Sequence, residues 1–313
     1  MFAARCIGIS LTVFVLLYAP LSIAICFAWK LLWRGMGPQS ARVGANLLFA
    51  LRLAPFTLAA IFTLLFTLPS FLLLEPRSTD ESVGTTPMLL GLCCLTLLLG
   101  GIVQTVLAQI RTSRALMTWL ADSTVVEAGK PVPVFRTGTD APALTLAGVR
   151  APKVLVSKAA FSILTPQELR TALEHEVAHV RSCDNLKRLL FRLAVFPGMK
   201  ALEGAWSAQA EMAADDAAVS SPGEALDLAA ALIKVSRLGS LQAELTSGLL
   251  HSSTALSLRV QRLFFWEQSR SASASRSNWW FVLPPASAVF LLVVATYSSA
   301  LTSMHAVTEW LVR

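Results

Sequence analysis

The chain has 313 residues, 55% of them hydrophobic and only 14% charged, where an ordinary soluble domain carries about 25% charged residues. That balance excludes a plain soluble enzyme, and abundant Leu, Val, Ile and Phe without a biased repeat exclude disordered, collagen-like and coiled-coil classes. The net charge of +7 sits largely beside apolar runs, with Arg5, Lys30, Arg34, Arg42 and Arg52 before residue 75 and no acid among them, which suits anionic lipid headgroups better than nucleic acid.

Four apolar runs are long enough to cross a hydrocarbon core of about 30 Å. The first, residues 7–29, follows a lone Arg5. Its apolar core exceeds the roughly 7–15 residues of a signal peptide, so it is expected to be a retained span. The second covers 53–74, with Arg52 placed at the interface because a span centre would cost it about 2.5–3.5 kcal/mol. The third covers 88–110 and the fourth 281–301. Trp29, Trp33, Trp279 and Trp280 fall at the span ends, where indole rings favour the headgroup zone. The loop 30–52 is basic and the loop 75–87 acidic. The positive-inside rule therefore puts residues 111–278 in the cytoplasm and both termini outside.

Between the third and fourth runs the composition is that of a soluble domain. Short strands are expected at 132–136, 143–147 and 153–157, separated by Pro and Gly. Thr165, Pro166 and Glu168 form a capping box with Pro at the first helical position, predicting a helix to about Ser182. A second helix is expected at 206–219. Ser221, Pro222 and Glu224 repeat the start signal for a third helix ending near Gly239. A fourth covers 255–267, and the Ser-rich 269–277 leads to the last span. The expected division is a membrane domain at 1–110, a cytoplasmic domain at 111–278, and a fourth span with a short external tail at 279–313. Five cysteines, among them Cys183, show no scaffold spacing, so neither disulfides nor a CxxC metal site is expected.

The chemistry lies in the first of these helices, which contains His175, Glu176, Val177, Ala178 and His179. Two histidines four apart share one helical face and can bind a single Zn(II), and the adjacent glutamate is placed to act on a water at that metal. The long zincin pattern, with Gly and a third His following, is excluded because Ser182 and Asn185 stand at those places. A third ligand is instead expected from Glu211, Met212, Ala213, Ala214 and Asp215. There, i and i+4 put Glu211 on the metal and Asp215 in reach of a ligand histidine. Of the two other histidines, His305 falls outside the membrane in the expected topology, and His251 is a candidate hydrogen-bond donor to an oxyanion.

Three spans, a cytoplasmic HExxH domain and a fourth span resemble the BlaR/MecR-type integral-membrane zinc metallopeptidases of bacteria. The resemblance is most specific from Ala151 to Leu186. There Pro152, Lys153, Val154, Leu155 and Val156 precede Leu164 to Leu169, then the HEVAH run, then Arg181, Asp184 and Asn185. Arg259, Val260, Arg262 and Leu263 resemble the closing helix of that family. The resemblance implies an α+β zincin-like (gluzincin) domain inserted between membrane helices 3 and 4 of a four-helix protein of the bacterial inner membrane. It implies one Zn(II) per chain held by His175, His179 and Glu211, with Glu176 as base. It also implies a protein substrate such as a transcriptional repressor, in regulated signalling. The sensor-transducers continue into an external penicillin-binding domain that is not expected here. A membrane sensor partner, or the bilayer itself, is therefore the expected source of control.

Two alternatives stand beside that reading. Quality-control and prenyl-protein membrane proteases also carry HExxH with ExxAD, though with further spans around the motifs. A non-catalytic transducer with a structural zinc would have no need of Glu176.

Overall fold

The apolar runs fold as helices longer than a bilayer needs. In the computed structural model, which describes residues 2–35, 40–75, 84–127, 132–138, 141–243, 252–266 and 283–312, α1 spans Phe2–Gly35. α2 spans Ala41–Phe62 and continues through a π turn at Thr63–Thr67 into α3 at Leu68–Leu74, and α4 spans Thr85–Ala121. Three helical stretches of 34, 34 and 37 residues are thus long and apolar enough to cross a membrane, where about 20 residues suffice. The surplus length carries each helix beyond the span expected from its composition.

Small residues set the packing of the bundle. Gly91 on α4 faces the Gly8 backbone of α1, and Thr12 Oγ1 donates to the Pro87 carbonyl at 2.7 Å, the close approach that joins helices where no water drives them together. Pro69 has no N–H to give the Leu65 carbonyl. Tyr297, from the helix at Leu283–Val312, donates its hydroxyl to that carbonyl at 2.7 Å. A backbone group freed on the outer face of the apolar helices thereby regains a partner. At the end of the bundle away from the sheet, buried Arg5 pairs with Glu75 at 2.9 Å.

After α4 come β1 at Thr124–Glu127, β2 at Val134–Thr137, β3 at Leu144–Ala147 and β4 at Lys153–Ser157. They form one sheet in the order β1-β2-β4-β3, with β2 and β4 parallel and the other pairs antiparallel. Central β4 is a run of Val154, Leu155 and Val156 with no exposure, and β3 is an edge. β1 was not expected: it is only four residues long and follows α4 directly across the short turn at Asp122 and Ser123.

Among the described residues six further helices follow: α5 Lys158–Ile163, α6 Pro166–Arg181, α7 Asp184–Leu193, α8 Lys200–Ala218, α9 Pro222–Ala243 and α10 Ser252–Phe264. The helix at Leu283–Val312 is α11. α6 starts at the expected capping box: Thr165 Oγ1 accepts from Glu168 N at 3.3 Å, and Glu168 Oε2 accepts from Thr165 N at 2.8 Å. Its apolar face, Ala172, Leu173 and Val177, closes the core over β2 and β4 with Val134, Val154 and Val156. α5 and α7 were not expected. α7 is short, although Leu186, Leu189, Leu190 and Leu193 recur at i, i+3, i+4 and i+7, the spacing of one helical face.

The second core joins the two halves of the chain. Leu202, Trp206 and Ala210 of α8 pack with Phe191 of α7 against Ala45 and Leu48 of α2. Arg52, expected at the interface among headgroups, is instead 1% exposed inside the protein. Its Nε donates to Glu203 Oε1 at 2.8 Å and its Nη2 to the carbonyls of Phe191 and Ala194. Tyr18 in α1 donates to the carbonyls of Ala194 and Val195. The end of α7 thus enters the bundle, and at Gly101 a Cβ would come within 2.2 Å of the Leu193 carbonyl oxygen.

Candidate metal centre

Helical period brings the two histidines together. One turn apart on α6, His175 and His179 are buried with their Nε2 atoms 3.2 Å apart. α8 crosses α6 and supplies Glu211, whose Oε2 lies 3.5 Å from His175 Nε2 and 3.7 Å from His179 Nε2. The three ligand atoms lie within 4.8 Å of one another.

What surrounds them fixes their orientation. His179 Nδ1 lies 2.7 Å from Asp184 Oδ2. His175 Nδ1 lies 3.0 Å from Asp215 Oδ1, at an angle short of an aligned hydrogen bond. Each carboxylate favours the proton on Nδ1 and so leaves Nε2 as a lone pair. With both imidazoles neutral, as a bound cation requires, two lone pairs and a carboxylate converge, which is the donor set that a divalent cation completes. The residues present therefore fit a metal ion.

Charge enters from a third helix. Arg259 of α10 grips both Asp215 oxygens, Nε to Oδ2 at 2.8 Å and Nη2 to Oδ1 at 2.6 Å, while its Nη1 reaches Glu211 Oε2 at 3.0 Å. Burial opposes ionisation of Glu211, but the two imidazoles and Arg259 overcome it and hold the carboxyl far below its usual range. Burial likewise opposes charge on His179, and Asp184 with Glu211 nevertheless pushes that imidazole up to about 10. Without a metal the pair holds its charge as a histidinium facing a carboxylate.

Glu176 shares the cleft with this group. The cleft encloses about 180 Å³ and is lined by Leu144, Thr145 and Leu146 of edge strand β3 as well as by Glu176, Asn185 and Arg188. Burial pushes the Glu176 carboxyl above its ordinary range, with the neighbouring imidazoles opposing. Asn185 Nδ2 donates to the Gly148 carbonyl at 3.0 Å, which ties α7 to the end of β3.

The structure thus gathers Glu176, His175, His179, Glu211 and Asp215 in one place. His251 lies outside the described residues. Asp184 and Arg259 stood in the sequence only as family landmarks, and their contacts to the site come from the fold. Asp184 follows His179 by five, too far for one helical face. The chain turns back because Cys183 adopts a left-handed φ of 54° between α6 and α7, a conformation uncommon outside glycine. No spacing rule contains that turn. Arg259 is 44 residues from Asp215, and no local pattern links the two.

Among known families, the model for peptidase family M48 matches residues 134–306, more than half of the chain. No curated protein matches it.

Proposed function

The chain belongs to peptidase family M48 and is a metallopeptidase, and from that premise we propose a zinc-dependent endopeptidase acting on cytoplasmic or membrane-proximal proteins. The observation that carries the reading is the convergence of His175, His179 and Glu211 in the cleft that also holds Glu176. Two imidazoles and one carboxylate suit zinc, whose catalytic sites take three protein ligands and keep one position open. Zinc bound there supplies Lewis-acid polarisation of the scissile carbonyl and of the attacking water.

The protein's own residues do the rest. Glu176, its pKa raised by burial, takes the proton of the attacking water and delivers it to the leaving amine. Asp184 and Asp215 keep the imidazoles aimed. β3 offers an unpaired edge along the cleft, to which an extended substrate can add as a further strand.

We place the protein in a bacterial inner membrane, crossing it four times, with the cleft on the cytoplasmic side. The positive-inside pattern supports that orientation. Regulated cleavage of a repressor, under a membrane sensor partner, is supported by the BlaR/MecR-like run from Ala151 to Leu186. General proteolysis of membrane proteins is a second reading, favoured by the seating of α8 on α2, which sets the cleft beside the bundle where membrane-borne chains emerge.

The test compares the wild-type protein with Glu176→Gln, the full chain being purified in detergent and then returned to membranes. Turnover is expected to fall by at least about 10² fold with metal content unchanged. Retained turnover, or loss of the metal, would remove Glu176 from its role. Mapping the new N termini in those membranes separates the two substrate readings: cuts in a soluble DNA-binding protein favour signalling, and cuts spread over membrane-protein loops favour general proteolysis.

A further inference from the structure

A second cavity, of about 440 Å³, lies where α2, α4, α7 and α8 meet. Its lining is cationic, with Arg52, Arg188, Arg192 and Lys200 against the single carboxylate of Glu203. Two of its residues also carry buried N–H groups with no partner among the described residues, Arg52 Nη1 and Trp206 Nε1. The other guanidinium nitrogens of Arg52 are committed to Glu203 and to the carbonyls of Phe191 and Ala194. Buried donors are nearly always satisfied. Both atoms lie behind the cavity wall rather than open to it, so it is the four cations against one carboxylate that call for a missing group, an acceptor with negative charge.

We propose that this cavity binds the phosphate of an anionic phospholipid. A lone phosphate would leave most of the volume unused, and the rest of the wall, Phe191, Val195 and Phe196, is apolar. The cavity reaches α4 at Gln104. On either side of it Val103 and Val106 are about half exposed on a helix apolar enough to cross a membrane. A headgroup in the cavity therefore leaves its acyl chains along the exposed face of α4, where bilayer lipid would lie. Arg188 joins the two sites, since it lines the cavity and stands 3.7 Å from Glu211 Oε1. The binding site itself does not depend on the peptidase reading.

Native mass spectrometry of the full chain in neutral detergent tests the assignment, with phosphatidylglycerol and phosphatidylcholine added in equal amounts. One phosphatidylglycerol retained per chain, in preference to phosphatidylcholine, is the expected result. Arg192→Gln with Lys200→Gln, both exposed positions, should cut that preference on the order of tenfold, as two cations near an anionic headgroup contribute. Gln104→Trp, which narrows the mouth, should weaken retention as well. Equal retention of both lipids, or a phosphatidylglycerol preference unchanged in these variants, would overturn the proposal. An arm with inorganic phosphate alone separates the sources. If phosphate raises the melting temperature of the wild type but not of the double variant, while no lipid is selected, the ligand is the free ion and the lipid assignment falls.

Discussion

Glu211 and Asp184 both act on the two histidines, but from different distances, and their variants should fail differently. Glu211→Ala removes one of three donors and should release the metal, read as metal per chain after gel filtration. Asp184→Asn leaves all three donors in place and loosens only the aim of His179, so metal affinity or activity should fall about 10 to 100 fold. Equal losses in the two variants would mean that Asp184 does more than orient. The ligand residues were legible in the sequence because helical period alone sets them: i and i+4 on α6, and again on α8. The carboxylate behind His179 was not legible, because it depends on one residue, Cys183, taking a left-handed conformation. Nor was the reach of Arg259 across to Asp215 and Glu211, which no local pattern encodes.

Helix ends and helix crossings carry their own consequences. Glu168 closes the capping box of α6 and also pairs with Lys234 of α9 at 2.7 Å. Burial opposes its charge, yet Lys234 and the Thr165 amide together hold the carboxyl below its ordinary value. A carboxyl with a lowered folded pKa contributes its full stability above the ordinary carboxylate range and loses it as pH falls through the folded value. Glu168→Gln should therefore cost at most about 1 kcal/mol near neutrality, and the gap from wild type should close in acid. Thermal melts at several pH values would show it, and a constant gap would contradict it. At the crossing of α4 and α7, Gly101→Ala must displace the Leu193 carbonyl, a backbone atom, and should destabilise by roughly 1–3 kcal/mol. The neighbouring Gly100 has open space around a Cβ, so Gly100→Ala should leave the melting temperature unchanged or raised. Capping boxes and spans could be read from sequence because their signals are local. The crossing could not, since Gly101 and Leu193 lie 92 positions apart and nothing in either run names the other.

Across the whole molecule, the core that holds α8 is shared between the membrane helices and the peptidase helices. A fragment of residues 111–278 would expose Trp206, Leu202 and Phe191, large apolar groups that need α2 to cover them. It is expected to aggregate, or to require detergent, and to bind metal more weakly than the full chain. A soluble monomeric fragment with full metal affinity would show that α2 is dispensable to the site. The seating of α8 on α2 also has a meaning for how the protein is made. α2 leaves the ribosome some 140 residues before α8, so the surface that receives Glu211's helix is already in place when that helix emerges. A chain in which α2 is unfolded lacks that surface. His175 and His179 can still come together on α6, but the third ligand has no seat. The order of synthesis thus makes the receiving surface before the helix that it seats.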